Sequence, residues 1–302
     1  MLIDRVVRET MKKKNPCITG IDPEWDMIPD CYKPDALSKA EVIWEWAKDV
    51  IDAVKDIVIA VKPQMAFYEV YGADGFRVFE KVSEYAKKQG LIVVDDSKRN
   101  DIGNTARAYA FAHLAKEGPI NADFLTVSPF LGTDSMKPFI DMAVKEDKGI
   151  FVLVRTSNPS SSEIAEAVKA NGEDVSDWLA GYLDEAGSGC IGKSGYSALG
   201  AVVGATFPRE AAELRKRMKN SYFLVPGFGA QGGSAKDVTA CFNEDGLGAL
   251  VSSSRGVLYK YRDSKEYDGS KKMYQDIVHA QAEKMQQEVY RALKESCKEI
   301  CY

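Results

Sequence analysis

One short stretch has the residue types and spacing for acid–base chemistry. "LIVVDDSKRNDIGNT" (residues 91–105) runs four apolar residues straight into Asp95, Asp96, Lys98, Arg99 and Asp101. On an extended strand Asp96 and Lys98 are two apart and project to one face, while Asp95 and Ser97 project to the other, toward covering helices. A lysine flanked by carboxylates keeps its proton, because opposite charge nearby favours the charged form. A second lysine, Lys62, stands in an earlier apolar run, "IVIAVKPQMAF" (57–67). Together Lys62, Asp96, Lys98 and Asp101 make a neutral array of two lysines and two aspartates. Such an array can hold a charged acid in a site sheltered from water.

Something must bring residues 62 and 96–101 together. Eight short apolar, β-branched runs recur along the chain: "CITGID" (17–22), 57–67, "LIVVDDSK" (91–98), "FLTVSPF" (124–130), "IFVLVRTS" (150–157), "ALGAVVGAT" (198–206), "YFLVPGFGA" (222–230) and "GALVSSSR" (248–255). They are continuous rather than alternating, as strands buried on both faces must be. Amphipathic segments lie between them. "ALSKAEVIWEWAKDVIDAVKD" presents Val42, Trp46, Val50, Ile51 and Val54 at helical spacing, and "GFRVFEKVSEYAKKQG" stops at Gly90, a fitting residue just past a helix end. Val278, Ala282, Met285, Val289 and Leu293 trace one face of a closing helix. The alternation predicts a (β/α)8 TIM barrel as a single domain over residues 1–302. A long insertion, roughly 158–197, separates strands five and six. It looks like a helix plus the Gly-rich loop "AGSGCIGKSGYS", and reads either as a lid or as a decorated barrel helix.

In such barrels the reactive residues come from the C-terminal ends of several strands. The ends here offer Asp22, Lys62, Asp96 with Lys98, Thr156 with Ser157, Gln231 and Arg255. Alone, the DxKxxD spacing is matched equally well by salt bridges across the barrel rim. Polar residues at five further strand ends weigh against that. After strand seven, "PGFGAQGG" supplies Gly229, Gly232 and Gly233, which let backbone N–H groups approach an anion. Arg255 at the next strand end offers a donor fork matched to phosphate oxygens. Loops after strands seven and eight are frequent phosphate sites.

Composition narrows the function class. A formal net charge of −5 excludes a general nucleic-acid binder, but not a locally positive site for a small anion. No apolar run approaches a membrane span. The charged N-terminus "MLIDRVVRETMKKKNPC" is not expected to be a secretory leader. Six cysteines without CxxC or metal-ligand spacing read as reduced thiols of a cytoplasmic protein. The only histidines, His113 and His279, fall in helical sequence, so a histidine-based metal or triad site is not expected.

The motifs "GIDP", "VKPQ", "DDSKRNDIGNT", "TSNP" and "PGFGAQGG" resemble, in order and strand position, the orotidine 5′-phosphate decarboxylases, and among them the longer-chain subfamily. The resemblance spans nearly the whole chain. It implies decarboxylation of orotidine monophosphate to UMP, the last step of de novo pyrimidine nucleotide synthesis, without metal or organic cofactor, by a barrel homodimer with shared active sites. It also implies roles. Lys98 protonates C6, Asp96 lies against the substrate carboxylate, Lys62 links Asp96 to the ribose, and Asp22 holds a ribose hydroxyl. Asp101 and Thr105 reach the neighbouring subunit's site. Ser157 reads the pyrimidine amide edge, Gln231 bridges base and phosphate, and Arg255 holds the phosphate. Two other readings stand beside it. Sugar-phosphate decarboxylases similar to ketogulonate-phosphate decarboxylase share the barrel and DxKxxD, but need a divalent metal and lack the second-strand lysine. A non-catalytic nucleotide-phosphate binder would use the same fold.

Overall fold

The computed structural model describes residues 1–229 and 232–300. A first helix, α1 (Leu2–Lys13), is followed by β1 (Cys17–Ile21), α2 (Lys39–Val54), β2 (Ala60–Pro63), the short α3 (Ala66–Glu69) and α4 (Gly72–Lys88). Then come β3 (Ile92–Arg99), α5 (Gly103–Leu114), β4 (Phe124–Val127), α6 (Thr133–Glu146) and β5 (Gly149–Arg155). The segment beyond β5 holds α7 (Ser162–Ala165) and α8 (Val175–Gly187). The chain continues with β6 (Ser197–Val203), α9 (Pro208–Arg217), β7 (Ser221–Val225), α10 (Ala235–Val238), β8 (Ala249–Ser253), α11 (Arg255–Leu258) and α12 (Lys271–Glu295). The eight strands are parallel and close in sequence order, β8 pairing with β1 through Cys17↔Val251, Ile18↔Ser252 and Thr19↔Ser253. This is the expected (β/α)8 barrel.

The strands are buried along their length because helices cover one face and the barrel interior the other. The exceptions fall near C-terminal ends: Ser97, Lys98 and Arg99 of β3, and Leu153 of β5. The loss of burial thus marks the rim where a site can open. Large and small residues alternate between neighbouring strands. The Phe124 and Phe151 rings stack at 4.8 Å, and a Cβ on Gly149 or Gly200 would collide with them. Helix boundaries follow local chemistry. Ser38 and Glu41 form a reciprocal capping box at the start of α2, and Gly90 takes a left-handed φ of 83° just beyond α4. The apolar stripe of α12 is buried as its spacing predicts, and Trp46 of α2 donates its indole N–H to the Tyr274 hydroxyl of α12 at 2.7 Å.

Two parts of the insertion after β5 are placed away from the rim. Helix α8 packs on β5 and β6 as the barrel helix of that unit. The Gly-rich loop 186–196 leads into the N-terminal end of β6, and its Ser194 N–H donates to Asp4 of α1 at 2.8 Å. A loop that precedes a strand lies at the opposite end of a parallel barrel from loops that follow strands, so this loop cannot cover the rim.

Candidate active site

Asp96 is the centre of the rim. Its Oδ2 accepts from Lys62 Nζ at 2.6 Å and Gln64 Nε2 at 3.1 Å, while its Oδ1 accepts from Lys98 Nζ at 2.6 Å and Thr126 Oγ1 at 3.0 Å. Burial would push this carboxyl up, but the two ammonium groups and their hydrogen bonds hold it well below the ordinary carboxylate range. Lys62 is buried too. Burial acts to lower its pKa, yet Asp96 and then Asp22 outweigh that and raise it. Asp22 is shifted the other way: burial raises its carboxyl against the pull of Lys62. Its Oδ1 is buried without a hydrogen-bond partner among the described residues, an acceptor held ready for a donor from outside.

Each side chain is delivered by its strand. Thr126, one polar residue inside the apolar β4, stands behind Asp96 and also accepts the Lys98 backbone N–H at 2.9 Å. Lys98 cannot follow simple strand alternation. Between Asp95↔Leu125 and Arg99↔Val127 the register of β3 shifts against β4, so three residues of β3 face Thr126 alone. This bulge holds Lys98 at a φ of +48°. A left-handed backbone on a lysine costs on the order of 1–3 kcal/mol and is concentrated at functional positions. The side chain that results remains 45% exposed and reaches into the cavity while touching Asp96. Gly20 matters for space alone: a Cβ there would sit 1.8 Å from the Ser254 hydroxyl, which bonds to Asp22. The loops after β1 and β8 are tied by Tyr259, whose hydroxyl donates to the Asp22 carbonyl and accepts the Glu24 N–H at 3.0 Å.

Asp22, Lys62, Gln64, Asp96 and Lys98 line a cavity of about 720 Å³ together with Thr156, Ser157 and Asn158 after β5, Gly227 and Phe228 after β7, and Ser254 and Arg255 after β8. The structure therefore brings Asp22, Lys62, Asp96, Lys98, Ser157 and Arg255 to one chamber. The neutral array within this chain takes Asp22, not Asp101, as its second carboxylate. Asp101 and Thr105 stand outside the cavity, at the entry to α5, because the bulge turns the chain away from the barrel axis; Asp101 Oδ1 accepts the Ile102 N–H at 2.8 Å. Gly232 and Gly233 also fall outside the lining. Their N–H groups donate to the Gly229 and Gly227 carbonyls at 3.0 and 3.1 Å, so the turn uses them internally. Gln231 lies outside the described residues. Sequence reasoning missed Gln64 and Thr126. Gln64 is signalled by its position two residues beyond Lys62 on the same strand face, and Thr126 by being the one polar residue in "FLTV".

Comparison with known proteins bears on the same residues. A protein from Clostridium novyi (strain NT) named orotidine 5′-phosphate decarboxylase is 38% identical over 291 residues, covering 96% of this chain and 99% of its own. One of the same name from Petrotoga mobilis is 40% identical over 269 residues, 89% of this chain and 92% of its own. The structure of Leishmania donovani OMP decarboxylase superposes with a TM-score of 0.74 at 28% identity, covering 96% of this chain and 98% of that one. The family model described as orotidine 5′-phosphate decarboxylase / HUMPS matches residues 18–268, which takes in all eight strands and every rim residue described above. The chain belongs to the orotidine 5′-phosphate decarboxylase / HUMPS family.

Proposed function

We infer that this chain decarboxylates orotidine 5′-monophosphate to UMP, with Lys98 as the proton donor. The observation that carries the reading is Asp96 held ionised between two lysines, with one of them, Lys98, extending into the cavity. The C6–carboxylate bond breaks, CO2 leaves, and the electron pair stays on C6. The Lys98 ammonium beside that carbon stabilises the developing charge and then delivers its proton there, after which solvent reprotonates the amine. A substrate carboxylate seated against Asp96 is repelled by about 4 kcal/mol at ~4 Å in an effective dielectric of ~20, and loss of CO2 relieves it. General acid catalysis typically supplies roughly 10²–10⁴-fold. The rest falls to binding energy from the remote groups: Arg255 on the phosphate, the unpartnered Asp22 oxygen on a ribose hydroxyl, and Ser157 on the pyrimidine edge.

The same reading makes the enzyme a cytoplasmic homodimer with shared sites. Asp101 and Thr105 do not line their own cavity, and the nearby loops and α5 expose Ile102 (54%), Phe111 and Phe130 (77%). Exposed apolar side chains beside the site support an interface there. A buried Lys62 paired to Asp96 favours the pyrimidine reaction over the metal-dependent sugar-phosphate branch.

The test is the absorbance change when purified protein meets orotidine monophosphate in the presence of a chelator. Loss of the orotate chromophore, abolished by Lys98→Ala with binding retained, supports the reading. No change in the wild type refutes it and turns attention to sugar phosphates with magnesium.

A further inference from the structure

The inner face of β3 carries the proposed chemistry, and its outer face carries a second polar chain that the reaction does not touch. Asp95 is fully buried; its Oδ1 accepts from the Ser97 hydroxyl, and its Oδ2 lies 2.6 Å from Nδ1 of His113. His113 is 3% exposed on α5, and its Nε2 accepts from Arg99 Nε at 3.2 Å. With Nε2 accepting, the ring proton sits on Nδ1 and is donated to Asp95. Arg99 continues outward to Glu69 of α3 at 2.7 Å and lies over the Tyr109 ring.

Asp95 and Arg99 are the two positions between which the register of β3 shifts, and Lys98 with its left-handed backbone lies between them. One imidazole thus grips both ends of the bulge from outside the barrel. The inner contacts of Lys98 change as substrate enters and as the proton leaves. The outer bridge shares no atom with those inner contacts. We propose that His113 is a positioning residue: by bridging Asp95 to Arg99 it fixes the span of the bulge and keeps the Lys98 ammonium aimed at Asp96 and the substrate carbon. An apolar residue would fill this seat without the desolvation that the buried Asp95–His113 pair incurs, which fits a geometric use for the pair. The proposal rests on the decarboxylation reading for its consequence in turnover.

The experiment compares wild type, His113→Phe, His113→Asn and Arg99→Met. Phenylalanine fills the seat and removes both bonds. Asparagine returns a donor toward Asp95 only. His113→Phe is expected to lower kcat on the order of 10- to 100-fold, the cost of a small displacement of a reacting group. KM stays near wild type, since no substrate contact is removed. His113→Asn recovers part of the loss, and Arg99→Met combined with His113→Phe is no worse than the weaker single variant. If the phenylalanine variant fails to fold, the asparagine and methionine variants carry the comparison. Folded His113→Phe with wild-type kcat overturns the proposal, as does a loss that merely tracks the folded fraction. A wild type inactive on orotidine monophosphate overturns the decarboxylation reading instead. The crystal structure of His113→Phe then decides this one: Lys98 relaxed to negative φ and off Asp96 is expected, and an unmoved Lys98 refutes it.

Discussion

Asp96→Asn is the substitution whose consequence the geometry dictates most directly. It keeps the size of the side chain and exchanges one oxygen for an amide nitrogen. Both oxygens are 2.6 Å from a lysine Nζ, so either amide orientation sets an N–H group against an ammonium. Lys98 is 45% exposed and can swing to solvent, while Lys62, 9% exposed, cannot. The cost therefore rests on Lys62, which keeps only Asp22 as a counter-charge. Removing one member of a buried pair costs about 3–5 kcal/mol, and the remaining carboxylate sets the expectation at the low end, ~3 kcal/mol. At about 1.6 °C per kcal/mol for a chain of this size, the melting temperature falls by roughly 5 °C. Urea and thermal unfolding followed by circular dichroism measure it, with an unchanged m-value. Replacing all three groups together, Lys62→Met with Asp96→Leu and Asp22→Asn, should recover most of the loss, because the penalty lies in the orphaned charge rather than in a missing attraction. An Asp96→Asn protein that melts at or above wild type would refute the argument.

Three further outcomes follow from the same geometry. Thr126→Val leaves the Lys98 N–H unsatisfied and removes one donor from Asp96, costing about 1–3 kcal/mol in urea unfolding and lowering kcat more than it raises KM; unchanged kcat would exclude Thr126 from the site. The Asp96 carboxyl is held low, so its contribution to stability is complete above about pH 4 and is lost as pH falls through its folded value. Asp22 is held high, so its contribution is complete below about pH 4 and is lost as pH rises through its folded value. The urea midpoint of Asp22→Asn relative to wild type should therefore climb with pH, and a flat difference would contradict the burial argument. Mixing inactive Lys98→Ala with inactive Asp101→Ala protein should restore turnover through hybrid dimers; no recovery after subunit exchange would remove the shared-site model.

The eight runs were legible because a strand buried on both faces must be continuously apolar, and each observed strand lies within one residue of its run or inside it. The run 57–67 was overlong: Met65 and the residues after it pack as a helical turn, α3, which a period read over so few residues does not separate from a strand. Asp22, Lys62, Asp96 and Arg255 were legible as interruptions at strand ends. What stayed hidden depends on contacts between distant segments. The left-handed turn at Lys98 is set by a register shift against β4, and spacing alone predicts plain alternation. The Gly232 and Gly233 amides looked available because glycine signals freedom of approach, not which carbonyl an N–H finally meets. The 158–197 insertion stayed open between a lid and a barrel helix because composition does not say which end of a barrel a loop occupies.

The seam between β1 and β8 sets how this chamber comes into being. Asp22 and Arg255 flank it, and the Ser254 hydroxyl fits only because residue 20 lacks a side chain. Every earlier strand can pair with its predecessor as the chain winds. This one pairing joins residues more than two hundred positions apart, a slow closure by its topology. Until it forms, β1 and β8 each present an open edge, and the walls that carry Asp22 and Arg255 belong to separate halves of the chain. A chain wound only through β4 can already carry Asp22, Lys62, Asp96 and Lys98 but not Arg255, so the last strand to dock both silences the two exposed edges and completes the chamber.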